Sequence, residues 1–80
     1  MNVWLVNYYD GSIQYVTGVA NSKELAQTLA QRHTDAVQSA VCAIDWHHSG
    51  DVGAVYVAGR ESEGIIARYG IEQFEVSTDG

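Results

Sequence analysis

The sequence predicts a single two-layer α+β domain, a largely antiparallel sheet carrying one main helix, in the order β-β-α-β-β-(short α)-β. Three observations predict it. The chain has 80 residues, below the roughly 150 at which second cores become usual. It is 46% hydrophobic and 18% charged, the profile of a folded domain rather than a disordered one. And its apolar residues switch from strand spacing to helical spacing and back along the chain.

Val3 to Tyr9 forms the first strand. Val3, Leu5 and Tyr9 fall on one face and Trp4, Val6 and Tyr8 on the other, so it is apolar on both sides, as a central strand is. Asp10-Gly11 tolerates the positive φ of a hairpin turn, and a second strand returns through Ser12 to Val19, with Ile13, Tyr15 and Val19 on one face. Asn21 with Glu24 three residues later has the form of a capping box. From there Leu25, Ala26, Leu29, Ala30 and His33 make a helical apolar stripe that ends near Thr34-Asp35, with Leu25 and Leu29 expected against the sheet. Ser39 to Trp46 is a third strand, Ser49-Gly50-Asp51 a turn, and Gly53 to Ala58 a fourth strand. Ser62 caps a short helix carrying Ile65, Ile66 and Tyr69, with Gly70 at its C-terminal end. Ile71 to Ser77 closes the fold, its Ile71, Gln73 and Glu75 alternating against Glu72, Phe74 and Val76.

Four basic against ten acidic residues give a net charge of −6. Nucleic-acid affinity depends on Lys and Arg neutralising phosphates, so direct DNA or RNA binding is not expected. The acidity belongs to the second half, where seven acidic residues (Asp45, Asp51, Glu61, Glu63, Glu72, Glu75 and Asp79) meet only Arg60 and Arg68. No apolar run approaches the roughly 20 residues of a membrane span. The N-terminus reads as a strand rather than a signal peptide, and Cys42 has no second cysteine to pair with. Both point to a cytoplasmic protein.

Chemistry-bearing residues are few. Asp45, His47, His48 and Asp51 are the one group with metal-ligand residue types, but their spacing matches no established signature, and neither metal nor cofactor is expected. Cys42 lies between Val41 and Ala43 as a small buried hydrophobe does. His33 sits near a helix C-terminus, where a histidine packs and interacts with the helix dipole. No hydrolase, phosphate-loop or dinucleotide motif occurs, so no catalytic residue is assigned and the chain is not read as an enzyme. What remains is an aromatic surplus, with Trp46 and Tyr69 as candidate contacts, and the acidic set Asp45, Asp51, Glu61, Glu63, Glu72 and Glu75, which would steer the protein toward a basic protein surface if gathered on one side.

The opening hairpin around Asp10-Gly11, the capped helix in Asn21-Ser22-Lys23-Glu24-Leu25-Ala26, the further strands and the acidic surface resemble the small accessory proteins of phages and other mobile elements, anti-CRISPR inhibitors among them. The resemblance covers size, topology and charge and carries no residue-level motif. It implies a non-enzymatic inhibitor, working in the host bacterial cytoplasm, that occupies a basic site on a nucleic-acid-processing defence complex. The alternatives are a self-associating domain, with a homodimer formed through its aromatic surface, and a small metal-dependent activity at the Asp45 to Asp51 tip.

Overall fold

The computed structural model describes residues 1–38, 42–56 and 64–77. It is an α+β domain with elements β1 (Asn2–Tyr9), β2 (Gln14–Ala20), α1 (Lys23–Val37), β3 (Asp45–His47), a single 3-10 turn (His48–Gly50), β4 (Val52–Tyr56) and β5 (Ile65–Glu75). The five strands form one antiparallel sheet in the order β2-β1-β5-β4-β3. Helix α1 packs on one face of it, against β1, β2 and β5. Among the described residues, no helix is long and apolar enough to cross a membrane.

The core lies between helix and sheet. Val6 stands opposite Ile71 and Tyr8 opposite Tyr69 across β1 and β5, and Val55 stands opposite Ala67 across β4 and β5. All six are buried, together with Ala26, Ala30, Cys42 and Ile44. The helix approaches closely because its buried positions are small and four residues apart: Ala26, Ala30 and Thr34.

The expected stripe is therefore rotated. Leu29 packs on the core edge, but Leu25 is 39% exposed. The cap also moves by one residue. Ser22 is the N-cap, its Oγ accepting from the Leu25 amide at 3.1 Å, so Glu24 lies two residues on and the capping box does not form. The helix runs on to Val37, since nothing before Gln38 interrupts it.

The Asp10-Gly11 turn is wider than a two-residue hairpin. The Asp10 carboxylate accepts from the amides of Ser12 and Ile13, and the Asp10 amide donates to the Ile13 carbonyl, so β2 resumes only at Gln14. A bulge follows: Val6 pairs with Gly18 but Asn7 with Val16, leaving Thr17 as the extra residue. This bulge sends Tyr15 to the helix side and Val19 to the opposite face, where uninterrupted alternation had put them together.

The largest correction concerns the short helix. From Ile65 onward that segment is the first half of β5, and Gly70 is an internal strand residue opposite Asn7 and Val52. Ala67, Tyr69 and Ile71 are buried at a spacing of two, and sheet pairing on both sides outweighs a helical turn that had no third element to bury it. Ser62 lies outside the described residues. Strand β3 is limited to Asp45–His47, with Cys42 and Ile44 buried ahead of it and residues 39–41 outside the described set. Strand β4 ends, as described, at Tyr56, with Val57 and Ala58 also outside.

Candidate interaction surface

The face of the sheet away from α1 carries Val3, Leu5, Asn7 and Tyr9 of β1, Val16 and Val19 of β2, Val52 and Ala54 of β4, and Arg68, Gly70, Glu72 and Phe74 of β5. No described element packs against it. Val19 is 58% exposed and Phe74 46%, with Tyr9, Val16 and Val52 also exposed. An antiparallel sheet with one wet face normally alternates apolar and polar residues; β1 does not, and its outward set is nearly as apolar as its inward set.

Arg68 and Glu72 of β5, the middle strand of the sheet, interrupt this surface, as do Asp45 and His47 of the edge strand β3. Arg68 and Glu72 stand on either side of Gly70, four residues and so about 13 Å apart. Both are exposed, and neither has an ion-pair partner among the described residues. Gly70 opens a recess of about 230 Å³ between them, walled by Tyr9, Asn7 and Val52.

The acidic residues expected to act together are dispersed. Glu72 is on the open face, but Glu75, three residues later on the same strand, is on the opposite one. Asp51 forms an ion pair with Lys23 of α1 at 2.9 Å. Asp45 accepts from the Tyr56 hydroxyl at 3.3 Å and lies 3.0 Å from His47 Nε2. Glu61 and Glu63 lie outside the described residues. The turn between β3 and β4 is held to the helix by Lys23 Nζ donating to the Ser49 carbonyl and by Gln27 Nε2 donating to the Gly50 carbonyl. These contacts draw Asp51 away from Asp45 and His47, and among the described residues no three potential ligands converge on a metal position. Trp46 is half-buried on the helix side of the sheet. Tyr69 is 1% exposed, so it cannot be a partner contact, and its assignment to the binding set is corrected.

Tyr69 belongs instead to a cluster that single-sequence reading missed. Its hydroxyl accepts from Thr34 Oγ1 at 2.7 Å and lies 2.6 Å from His33 Nδ1, while Tyr15 Oη lies 2.7 Å from His33 Nε2. Because Thr34 donates to Tyr69, the Tyr69 proton is directed to Nδ1, and we assign the His33 proton to Nε2, facing the Tyr15 oxygen. The Tyr8 ring closes the group, with its centroid 4.6 Å from that of His33 and 5.3 Å from those of Tyr15 and Tyr69. Burial lowers the His33 pKa and pushes that of Tyr69 up to about 12. Burial, and next the Asp10 carboxylate that accepts its proton, raise Tyr8. The amides of Ile13 and then Ser12 hold Asp10 below its ordinary value. Both ring nitrogens of His33 are engaged, so the cluster cements helix to sheet and offers no free base. The available signal was the helical spacing of Ala26, Ala30 and Thr34, which puts a polar residue on the core line and asks for a buried partner.

Comparison with protein-family models, with curated proteins and with solved structures gives no match to this chain.

Proposed function

We propose that this chain is a non-enzymatic protein-interaction module whose working surface is the uncovered face of its sheet. The observation that carries the reading is that face: a largely apolar layer across β2, β1, β5 and β4, exposed at Val19, Val16, Tyr9 and Phe74, beside a core that is complete without it. Contiguous apolar surface of this kind is the mark of an interface. The state of the reactive groups supports the non-enzymatic part. Cys42 is buried, His33 has both nitrogens engaged, and Asp10 is saturated by its own turn.

Val19→Gln with Phe74→Gln removes apolar area from this face without touching the core. Glu24→Gln with Asp35→Asn alters the outer side of the helix as a control. Tagged forms of each, and of the parent, are exposed to a bacterial lysate supplemented with the untagged chain. A protein held by the parent and the helix variant and released by the sheet-face variant supports the reading. Retention that ignores the sheet-face substitutions contradicts it.

A second reading is the acidic inhibitor that docks on a basic site of a bacterial nucleic-acid-processing complex, and the net charge of −6 favours it. Its signature is association that slows as salt shortens the Debye length from about 30 to 8 Å. An affinity indifferent to salt removes it.

A further inference from the structure

We infer that the occupant of the open sheet face is a second copy of this chain, bound face to face about a two-fold axis that crosses the strands at Gly70. This rests on the reading of that face as a protein interface and names its partner. The argument is charge complementarity. Val16, Asn7, Gly70 and Val52 form one row across β2, β1, β5 and β4. A two-fold axis along this row, lying between two facing sheets, reverses the strand direction and leaves the lateral order unchanged. It lays β5 on β5 of the second copy, Arg68 of each over Glu72 of the other, because the two residues are equidistant from Gly70. The same operation brings Leu5 over Tyr9 of the other copy and Val16 over its own counterpart. An axis along the strands would instead stack Arg68 on Arg68 and Glu72 on Glu72. The charges therefore choose one of the two face-to-face arrangements.

Among the described residues the face also carries little of the molecule's negative charge, with Asp45 of the edge strand β3, bonded to Tyr56, as its one unbalanced carboxylate. Arg68 and Glu72 balance on the middle strand. Glu24, Asp35 and the Lys23–Asp51 pair belong to the helix layer, and Asp10 to the hairpin turn. At physiological salt, charges a sheet and a helix apart are screened over about 8 Å, so the net charge does not keep two copies apart. In area the match is that of a weak dimer. The five strands average about seven residues, so at about 4.8 Å between strands and about 3.3 Å per residue the face covers roughly 540 Å² in projection, the scale of a small, weak interface that buries less than about 1,200 Å² in all. Isologous two-fold contacts of this type are the commonest form of self-assembly, and aligned packing of two sheets is an established geometry.

Sedimentation equilibrium on the full chain, from micromolar to millimolar, tests the inference with Arg68→Glu and Glu72→Arg, both at exposed positions. The parent is expected to pass from 8.7 kDa toward twice that mass. Each single variant places like charges opposite each other twice per dimer and is expected to weaken self-association by roughly tenfold or more. Mixing the two variants restores it, because the two carry opposite charge sets at these positions. Circular dichroism verifies that both fold, and should either fail, Val16→Lys, which sets like charges on the axis, replaces it with the same expected loss. A parent that stays at 8.7 kDa throughout overturns the inference, as does a dimer indifferent to the charge reversals, or a mixture that stays monomeric. If the parent stays monomeric yet a different protein is released by the sheet-face variant of the capture experiment, the interaction-module reading stands and only the second copy is refuted.

Discussion

Tyr69→Phe removes one oxygen and deprives two groups of their partner. Thr34 Oγ1, 1% exposed, loses the acceptor at 2.7 Å, and His33 Nδ1 loses the hydroxyl at 2.6 Å. An orphaned buried hydroxyl costs about 1–3 kcal/mol. Thr34 recovers part of this by turning toward a carbonyl one helical turn back, and half-buried His33 recovers its bond from water, so the net loss is expected at about 1–2 kcal/mol. At roughly 4–8 °C per kcal/mol for a domain of this size, the melting temperature falls by about 4–16 °C. Thr34→Val alone leaves the Tyr69 hydroxyl on His33 and costs less, below about 1 kcal/mol. The double variant contains no buried orphan, and its loss falls short of the sum by about 0.5 kcal/mol or more. Urea unfolding followed by the fluorescence of Trp4 and Trp46, both packed on the core, measures all four forms. His33 also titrates higher in Tyr69→Phe, since Nδ1 becomes free to take a proton. A Tyr69→Phe loss under about 0.5 kcal/mol, or strict additivity, refutes the account of the cluster.

A Cβ on Gly53 would meet Ile44 Cγ2 at 2.5 Å and Trp46 Cζ3 at 2.9 Å. Gly53→Ala is therefore expected to cost about 1–3 kcal/mol by overpacking, while Gly70→Ala, which meets nothing within 4 Å, leaves the urea midpoint nearly unchanged. Ser22→Ala removes the helix cap and costs about 1 kcal/mol, whereas Asn21→Ala is neutral in the same assay. The His33 pKa is lowered from 6.5 in the folded chain. The His33 contribution to stability is therefore constant above about pH 7.5 and falls as pH drops below the unfolded value, where the unfolded chain takes a proton that the folded one resists. His33→Gln flattens this slope, and an unchanged slope in that variant contradicts it.

Much of the fold was legible. The two-sided apolar pattern of Val3 to Tyr9 marks an inner strand, and β1 is paired on both edges. Asp10-Gly11 marks the turn but not its width, because the Asp10 carboxylate gathers amides two and three residues on. The Thr17 bulge has no local signature, and it alone decides which face receives Val19. The β5 error arose because Ile65, Ile66 and Tyr69 fit a helical turn as well as they fit a strand; the deciding contacts, Tyr8 with Tyr69 and Val55 with Ala67, are long-range. His33 and Tyr69 are 36 residues apart and meet only in the folded chain. The dispersal of the acidic residues was partly readable, since Glu72 and Glu75 lie three apart on a strand and must face opposite ways. That β1 is apolar on both sides while only one helix covers the sheet is the clearest sequence trace of the open face.

The most direct test of that face as the contact between two copies of the chain is a dilution series of amide nuclear magnetic resonance spectra of the unmodified chain at constant salt, read residue by residue. Concentration-dependent shifts are expected at Leu5, Asn7, Val16, Val19, Gly70, Glu72 and Phe74, while Ala26, Ala30 and the His33 cluster stay fixed. Spectra independent of concentration, or shifts confined to the outer side of the helix, contradict the account.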